Sequence, residues 1–330
     1  MNRFEVITPA DLRHAAKLLA EDGRLAIAGG VDVIDLAKQE IIAPKALVNL
    51  KGLKELDGIE MRPSGELRLG ALAKLADVAE HPAIRDRFTA IAEAAEQAAT
   101  PQIRNLGTVA GNLLQRPRCW YFRDPLVHCL KKGGDRCYAI GGLNRYHAIL
   151  GGGPSFIVHP SNLAPALIAF GARATIVGPT AERTVDLEKF FTLPAVDPRR
   201  ENDIKPGEIL TEVVVPAPAR GARSAYLEAR EKQSFDWPLA SAATLIELAP
   251  GGRTVRRAQI VMGAVAPIPW RSPAAEAVLA GAALDEARAR GAAEAALKEA
   301  RPMSDNRYKI AIARTMVRRA ILRAGGLDAA

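Results

Sequence analysis

Three cysteines, Cys119, Cys129 and Cys137, are the residues of this 330-residue chain whose type points most directly to chemistry. Thiolates bind soft metals and iron–sulfur clusters, and an odd number of cysteines is a poor basis for a disulfide framework. Their spacing, Cys-x9-Cys-x7-Cys, matches neither a zinc finger nor the compact Cys-x2-Cys runs of ferredoxins. From the residues alone, unliganded thiols are therefore at least as good an interpretation as a metal site.

Two turns of small residues are the second feature with chemical potential. The stretch Ile27–Asp32 reads Ile-Ala-Gly-Gly-Val-Asp, so a predicted strand ends in Gly-Gly and turns directly into a helix. Such a turn points backbone N–H groups at one spot and can hold a phosphate. The stretch Thr108–Asn112 places a hydroxyl, a glycine and a carboxamide within five residues. Two such turns could grip the two ends of a dinucleotide, although each alone is equally well an ordinary tight turn.

Several site types have no support in the sequence. The Gly-x-Gly-x-x-Gly fingerprint and the Gly-Lys-Ser/Thr loop are both absent, so neither a Rossmann nor a P-loop nucleotide site is predicted. Neither a Ser-His-Asp arrangement, nor a paired-carboxylate motif, nor a His-Glu-x-x-His zinc site is present. Hydrolysis therefore has no candidate apparatus. His14, His81 and His147 are interpreted as structural or surface residues.

The composition is that of a soluble globular protein, with 48% hydrophobic and 25% charged residues. No apolar run approaches the roughly 18 residues of a membrane span, and the N-terminus lacks an apolar signal region. The net charge is +8, but the basic residues are scattered and not interleaved with aromatic ones. A docking surface for an acidic partner subunit is therefore favoured over nucleic-acid binding.

The elements that must position these residues form an α+β fold with three compact portions. Thr8 and Pro9 are typical of a helix start, and a second helix is expected from Val33. The main domain boundary is predicted at the Pro/Gly-rich segment 216–221, and the last helix after a Ser304 cap. Strands are predicted over Leu25–Ala28, Ala46–Leu50, Ser155–Val158, Arg173–Val177, Ile209–Val215, Ser241–Leu248 and Val255–Val261.

Taken together, these motifs resemble the FAD-binding subunit of the molybdenum hydroxylases, the family of xanthine dehydrogenase and carbon monoxide dehydrogenase. The first turn is similar to the family pattern Ala-Gly-Gly-Thr-Asp, and the second to Thr-Ile/Leu-Gly-Gly-Asn. The stretch Pro160–Leu167 is similar to Pro-Ser-Asp-x-Ala-Pro-Ala-Leu, and further similarities lie at 206–210 and 263–271. The match runs from Phe4 to about Arg323.

The resemblance implies a two-subdomain FAD-binding domain of the vanillyl-alcohol oxidase (PCMH) type over residues 1–220. It implies a smaller α+β C-terminal domain over 221–330 and a cysteine-containing insertion at about 115–155. Asn162 stands where the family usually has Asp, and Ala110 where it has Gly. The residues that the resemblance places at the FAD are Ile27, Ala28, Gly29, Gly30, Val31, Asp32, Thr108, Gly111, Asn112, Asn162, Ile209 and Leu210.

The cysteine segment resembles the insertion in flavin subunits of periplasmic-type aldehyde oxidoreductases, which binds a [4Fe–4S] cluster through four cysteines. Cys119, Cys129 and Cys137 would be ligands, but the fourth family cysteine corresponds to Ser155. A serine must surrender a far less acidic proton to bind iron. Four outcomes are open: a serine-ligated cluster, a substitute ligand such as His128 or His159, a three-iron or labile cluster, or no cluster. The resemblance favours some cluster.

By the same resemblance, substrate is hydroxylated at a molybdenum cofactor in a large molybdopterin-binding subunit. Electrons then pass through [2Fe–2S] centres in a small subunit to the FAD of this chain, within a heterotrimer or its dimer. The chain alone is expected to bind FAD without oxidising aldehydes or heterocycles. The expected compartment is the cytoplasm, or the periplasm after export with a partner subunit.

Two other functions compete with this interpretation. One is a self-sufficient flavin-dependent oxidase or dehydrogenase with its own substrate cavity. The other is a non-catalytic assembly or metal-binding module with a vestigial flavin site, against which the intact glycine turns argue.

Overall fold

A computed structural model describes residues 1–232 and 235–328 and shows a mixed α/β architecture with three separate sheets. The helices are α1 (Leu12–Leu19), α2 (Val33–Lys38), α3 (Leu75–Glu80), α4 (Pro82–Arg87), α5 (Thr89–Gln97), α6 (Pro101–Leu106), α7 (Val109–Leu114), α8 (Trp120–Arg123), α9 (Leu163–Ala169), α10 (Leu187–Phe190), α11 (Pro273–Leu279), α12 (Glu286–Ala296) and α13 (Tyr308–Gly325). The strands are β1 (Glu5–Ile7), β2 (Arg24–Ile27), β3 (Ala46–Asn49), β4 (Ile59–Met61), β5 (Leu67–Gly70), β6 (Arg173–Val177), β7 (Glu182–Asp186), β8 (Ile209–Val215), β9 (Arg223–Ala229), β10 (Ala240–Leu248), β11 (Val255–Gly263) and β12 (Trp270–Arg271). Within the described part of the chain, no helix is both long enough and apolar enough to span a membrane.

A small parallel sheet carries the first glycine turn. Its strand order is β1-β3-β2, with α1 and α2 as the crossover helices. Helix α1 begins after Asp11, whose carboxylate accepts a hydrogen bond from the His14 N–H at 2.7 Å. The predicted cap at Thr8 is therefore wrong, because a carboxylate three residues further on satisfies a free amide of the first turn. Strand β2 ends at Ile27, immediately before the turn.

A five-stranded sheet of order β4-β5-β8-β6-β7 lies at the centre of the first two-thirds of the chain, and all its pairings are antiparallel. Strand β8 is its middle strand and is buried along almost its whole length. Strand β7 had no sequence signal because it is short, mostly polar and only half-buried on alternate residues.

One continuous apolar core joins these sheets to helices α3, α5, α7 and α9. Small aliphatic residues dominate it, as the alanine-rich composition suggests. Helix α9 is buried on every side, and Phe170 at its end packs on Phe88 with ring centroids 5.3 Å apart. A helix buried all round presents its N-terminal residues at a fixed place in the interior.

The last part of the chain forms an antiparallel sheet of order β12-β11-β10-β9, covered by α11, α12 and α13. Two of its strands were predicted, and β9 and β12 were not. Helix α13 packs on β10 and β9 through Val317 and Ile321, which are fully buried, whereas Ile310 is only partly buried. Its N-cap is Arg307, not Ser304.

Residues 115–155 contain little regular structure beyond α8 and one 3-10 turn. The strand predicted at Ser155–Val158 does not form, although the Ala148 N–H donates to the Phe156 carbonyl at 2.9 Å. Three glycines and Pro154 precede this segment and Pro160 ends it, so a continuous ladder has no room to develop.

Candidate functional site

The first glycine turn presents a group of unused backbone donors. Gly30 adopts a φ of +75°, which glycine tolerates without strain. Within residues 1–232 and 235–328, none of the backbone N–H groups of residues 29–33 donates a hydrogen bond. Successive free amides in a turn form a concavity that binds anions. The turn therefore fits a diphosphate group.

The two turns predicted from the sequence lie against each other. A side chain on Gly29 would overlap the carbonyl oxygen of Leu106, and its Cβ would lie 3.5 Å from the Cα of Gly107. Leu106 and Gly107 directly precede the second turn. Glycine at position 29 is thus required by close approach of the two backbones.

The second turn is fixed by internal hydrogen bonds. The Thr108 hydroxyl caps α7 by accepting from the Gly111 N–H at 3.1 Å, and the Ala110 N–H donates to Ala71 O at 3.0 Å. The Asn112 Oδ1 accepts from the Ser161 hydroxyl at 2.5 Å and from the Leu163 N–H at 3.3 Å. Unlike the first turn, this one holds the scaffold together and leaves the exposed Gly111 as its open surface.

The strand segment with Ile209 and Leu210 is linked to the second turn by one residue, Ala71, which hydrogen-bonds to both. Ala71, whose carbonyl holds Ala110, donates its own N–H to the carbonyl of Thr211 at 2.9 Å. The side chains of Ile209 and Leu210 are only 4% and 2% exposed and form part of the main core. Any ligand contact at this strand would therefore involve its backbone more than these side chains.

Asn162 connects the third motif to the C-terminal sheet. Its Nδ2 donates to the Glu228 carboxylate at 2.8 Å and to the Tyr226 hydroxyl oxygen at 3.3 Å. Glu228 also accepts from Tyr226 at 2.7 Å and forms an ion pair with Arg230. A carboxylate at position 162 could not donate to Glu228, so the amide that departs from the family pattern suits its surroundings.

The carboxylate of Asp32 is bound by residues of the cysteine insertion. It forms ion pairs with Arg118 and Arg123, the latter at 2.8 Å, and accepts from the Arg116 N–H at 2.8 Å. Arg123 extends the contact to Asp35 at 2.9 Å. Asp32 thus anchors the insertion to the first turn, and its backbone N–H, not its side chain, belongs to the group of free amides.

Two cavities, of about 280 and 330 Å³, lie in the described part of the chain. The first separates α5 from β9 and α13 and is lined by Glu93, Glu228 and Arg323, among others. The second is lined by Arg116, Lys131 and other residues of the insertion. Neither lining includes a residue of the first turn, so the free amides and the close backbone approach are the features that mark the anion site.

Cys119 and Cys129 share one environment. Cys119 precedes α8, Cys129 is buried, and both pack in a small apolar cluster with Phe122. Burial raises the pKa of the Cys119 thiol to about 12, the Phe122 and Tyr121 amides oppose this, and the charges of Cys137 and Cys129 raise it further. Cys129 and Cys137 are therefore each within electrostatic range of the Cys119 sulfur.

Among the described residues, no three His, Cys, Asp or Glu side chains are arranged to hold a single metal ion. A mononuclear site needs its donors around one point. The ligands of an iron–sulfur cluster bind different irons and are further apart, and soft thiolates in an apolar environment suit such a cluster.

His147, which no sequence motif marks as a candidate ligand, contacts Cys119. Its Nε2 lies 3.2 Å from the Cys119 Sγ. His128 is exposed, whereas His159 is buried and accepts from the Ser161 N–H at 3.3 Å. Ser155 is 2% exposed and lies one residue from the Ala148–Phe156 hydrogen bond. Cys119 and His147 are 28 residues apart and belong to no common motif, so their contact cannot be predicted from the sequence.

Two family descriptions together match almost the whole chain. Residues 2–218 match the FAD binding domain in molybdopterin dehydrogenase. Residues 224–324 match the CO dehydrogenase flavoprotein C-terminal domain.

Curated relatives match at full length. The FAD-binding subunit PaoB of the aldehyde oxidoreductase of Escherichia coli K12 is 34% identical over 312 residues, covering 94% of this chain and 93% of the relative. The medium chain of carbon monoxide dehydrogenase of Hydrogenophaga pseudoflava is 30% identical, with 97% and 96% covered.

Solved structures share the fold. A chain of carbon monoxide dehydrogenase from Hydrogenophaga pseudoflava, in a form lacking the Mo-pyranopterin moiety, superposes with a TM-score of 0.77 at 28% identity, with 98% of both chains covered. Quinoline 2-oxidoreductase from Pseudomonas putida 86 gives a TM-score of 0.76 at 23% identity and 98% coverage of both chains, a likeness of fold alone.

Proposed function

This chain belongs to the family of FAD-binding subunits of molybdenum hydroxylases, and we propose that it passes electrons from a [2Fe–2S] partner subunit through its FAD to an external acceptor. The observation that carries the proposal is the match of two family descriptions in sequence order, combined with a glycine turn whose amides are free to bind an anion. FAD, when bound, supplies the one- and two-electron redox chemistry. The chain's own residues hold and orient it.

The residues 29–33 would bind the FAD diphosphate through their N–H groups, because Gly29 and Gly30 allow the close approach and the φ that this geometry needs. Thr108 and Asn112 would act mainly by fixing the second turn, which leaves Gly111 to face the cofactor. The separate parallel and antiparallel sheets before residue 220 support the two subdomains of a PCMH-type FAD domain. The same proposal includes a boundary near residue 220 between the FAD-binding domain and the C-terminal domain.

Cys119, Cys129 and Cys137 would bind an iron–sulfur cluster within the insertion, with the identity of the fourth ligand open. The arginine contacts to Asp32 would hold this cluster beside the FAD turn. Substrate oxidation would occur at a molybdenum cofactor in a large partner subunit. The medium chain of the Hydrogenophaga enzyme and a subunit of the 6-hydroxypseudooxynicotine dehydrogenase complex of Paenarthrobacter nicotinovorans are relatives that belong to multisubunit enzymes.

The deciding experiment is anaerobic purification of the full chain, followed by visible and EPR spectroscopy. We expect about one FAD per chain, with iron and acid-labile sulfide above background. A chain that stays colourless after incubation with FAD contradicts the flavin proposal, and iron at background level contradicts the cluster proposal.

A second experiment separates a flavin subunit from a self-sufficient enzyme. The purified chain is mixed anaerobically with aldehydes or N-heterocycles, and flavin reduction is followed at visible wavelengths. We expect no reduction without partner subunits, because the proposed site of substrate oxidation is the molybdenum cofactor of a partner subunit. Rapid reduction by the chain alone would establish the competing oxidase or dehydrogenase function.

A further inference from the structure

His147 is a buried histidine of the cysteine insertion that contacts both Cys119 and the C-terminal domain. It is 3% exposed, and its ring packs edge-on against Trp120 with centroids 5.6 Å apart. Its Nε2 is within hydrogen-bond distance of the Cys119 Sγ, at 3.2 Å. The proposed function assigns a role to Cys119 and none to this histidine.

The other ring nitrogen indicates where the proton resides. Nδ1 of His147 is buried and has no hydrogen-bond partner among the residues that the structure describes. A buried N–H without an acceptor is among the rarest and most costly arrangements in proteins. The tautomer with the proton on Nε2 avoids it and directs an N–H at the sulfur.

Two backbone amides also lie near the Cys119 sulfur. The backbone N–H groups of Phe122 and Tyr121 are within hydrogen-bonding range of the Cys119 Sγ. With the Nε2–H of His147, N–H groups from three residues face Sγ. Such donors stabilise a thiolate once a metal has displaced its proton.

Residues of the C-terminal domain hold His147 in place. Its carbonyl accepts from Asn306 Nδ2 and from Lys309 Nζ, both at 3.1 Å. Lys309 also donates to Ala264 O at 2.7 Å and to Tyr146 O at 3.3 Å. Asn306 and Lys309 are 0% and 1% exposed, so these hydrogen bonds are shielded from solvent.

We propose that His147 is a positioning residue of the cysteine site, which donates an Nε2–H···Sγ hydrogen bond to Cys119 and is held there by Asn306 and Lys309 of the C-terminal domain. This inference rests on the proposed iron–sulfur site. A donor 3.2 Å from Sγ has the separation of a hydrogen bond and is too close to be the ligand of a second iron. Hydrogen bonds to ligand sulfur withdraw negative charge and raise the reduction potential of a cluster.

The test compares two variants of the full chain, His147→Gln and His147→Phe. Gln keeps an N–H donor, whereas Phe fills the space without one. Iron and acid-labile sulfide per chain, the EPR spectrum of the reduced protein and the midpoint potential are measured for each. We expect unchanged iron content in both, a more negative potential in His147→Phe, and a potential closer to wild type in His147→Gln. Equal midpoint potentials in wild type and both variants would overturn the proposal that His147 donates a hydrogen bond to Cys119. Loss of iron in both variants would show instead that His147 is itself a ligand.

A measurement on the metal-free protein separates this inference from the presence of a cluster. Long-range ¹H–¹⁵N spectra of ¹⁵N-histidine-labelled wild-type chain report which ring nitrogen carries the proton, with His147→Phe identifying the signal. We expect the Nε2-protonated tautomer, and an Nδ1-protonated ring would overturn the proposal. Absence of iron in the wild-type protein contradicts the proposed cluster, while the tautomer still decides whether the hydrogen bond exists.

Discussion

Gly29 is the residue at which the two turns meet, and its lack of a side chain is a packing requirement. A Cβ there would overlap the Leu106 carbonyl, which is backbone and cannot move aside cheaply. Because Gly29 has a hydrogen atom in place of a Cβ, the backbones of the two turns can pack in direct contact.

Substitution Gly29→Ala is expected to separate the turns. We expect a loss of unfolding free energy of about 1–3 kcal/mol, and an FAD affinity weaker by about tenfold or more, since overpacking forces backbone shifts. Denaturant unfolding and flavin titration measure the two effects. Gly52→Ala is the matched control, because a Cβ at Gly52 meets no atom within 4 Å. Equal effects of the two substitutions would contradict the role of Gly29.

Asn162 is the second residue whose identity its neighbours determine. Its amide donates to Glu228, a carboxylate whose side chain is 2% exposed and already paired with Arg230. We expect Asn162→Asp to lower the unfolding free energy by about 1–3 kcal/mol, because two buried carboxylates then face each other.

A double-mutant cycle isolates this effect. Asn162→Asp combined with Glu228→Gln restores a donor–acceptor pair in reversed order, so we expect most of the loss to be recovered. Additive losses in the double variant would mean that the two side chains do not interact.

At the level of elements, the insertion is attached to the parallel sheet through arginines. Arg123 of α8 contacts Asp32 and Asp35 at 2.8 and 2.9 Å and donates to the Pro117 carbonyl. The side chains of Arg123 and Asp32 are 11% and 17% exposed, so the contact between them is shielded from solvent. The first turn and the cysteine segment are consequently positioned together.

Replacement Arg123→Gln is expected to loosen the insertion. We expect a stability loss of about 1–3 kcal/mol, less than the about 3–5 kcal/mol of a fully buried pair because Arg118 still contacts Asp32. Limited proteolysis should cut within residues 116–150 faster than in wild type. Arg290→Gln removes an exposed helical pair with Glu286 and should change stability by less than about 0.5 kcal/mol. Unchanged proteolysis in Arg123→Gln would show that the insertion is held by other contacts.

For the molecule as a whole, Lys309 is the buried cation that joins the C-terminal domain to the insertion. It donates to three carbonyls. Burial lowers its pKa from 10.5 to about 7. Between pH 7 and 10.5 the unfolded chain therefore binds more protons than the folded one, so this residue makes the unfolding free energy rise with pH in that window.

Comparison of wild type with Lys309→Met tests this linkage. We expect the difference in unfolding free energy, wild type minus variant, to increase between about pH 7 and pH 10 by at most about 1.4 kcal/mol per pH unit. Chemical unfolding at several pH values gives the difference curve, in which the titration of other groups cancels. A flat curve would show that the Lys309 pKa is not lowered in the folded chain.

The sequence predicted the turns, strands and helices whose formation depends on residues adjacent along the chain. Gly29-Gly30 after a short apolar run placed a strand, a turn and a helix correctly, since residue order alone decides torsion preferences and strand period. The buried strand β8 followed from the same local rules. The family was recognisable because several such motifs occur in order, and the comparisons confirm it.

Contacts between distant segments were decided only by the tertiary structure. The carboxylate of Asp32 serves the insertion 84 residues later, and His147 meets Cys119 while C-terminal residues hold its carbonyl. Neither pairing has a local signature, because a hydrogen bond or an ion pair depends on distance in space and burial, which residue order does not encode. The sequence alone thus determined the glycine turns and the cysteine count. Folding decided that the two turns touch, which backbone amides remain free for a ligand, and which histidine faces the sulfur.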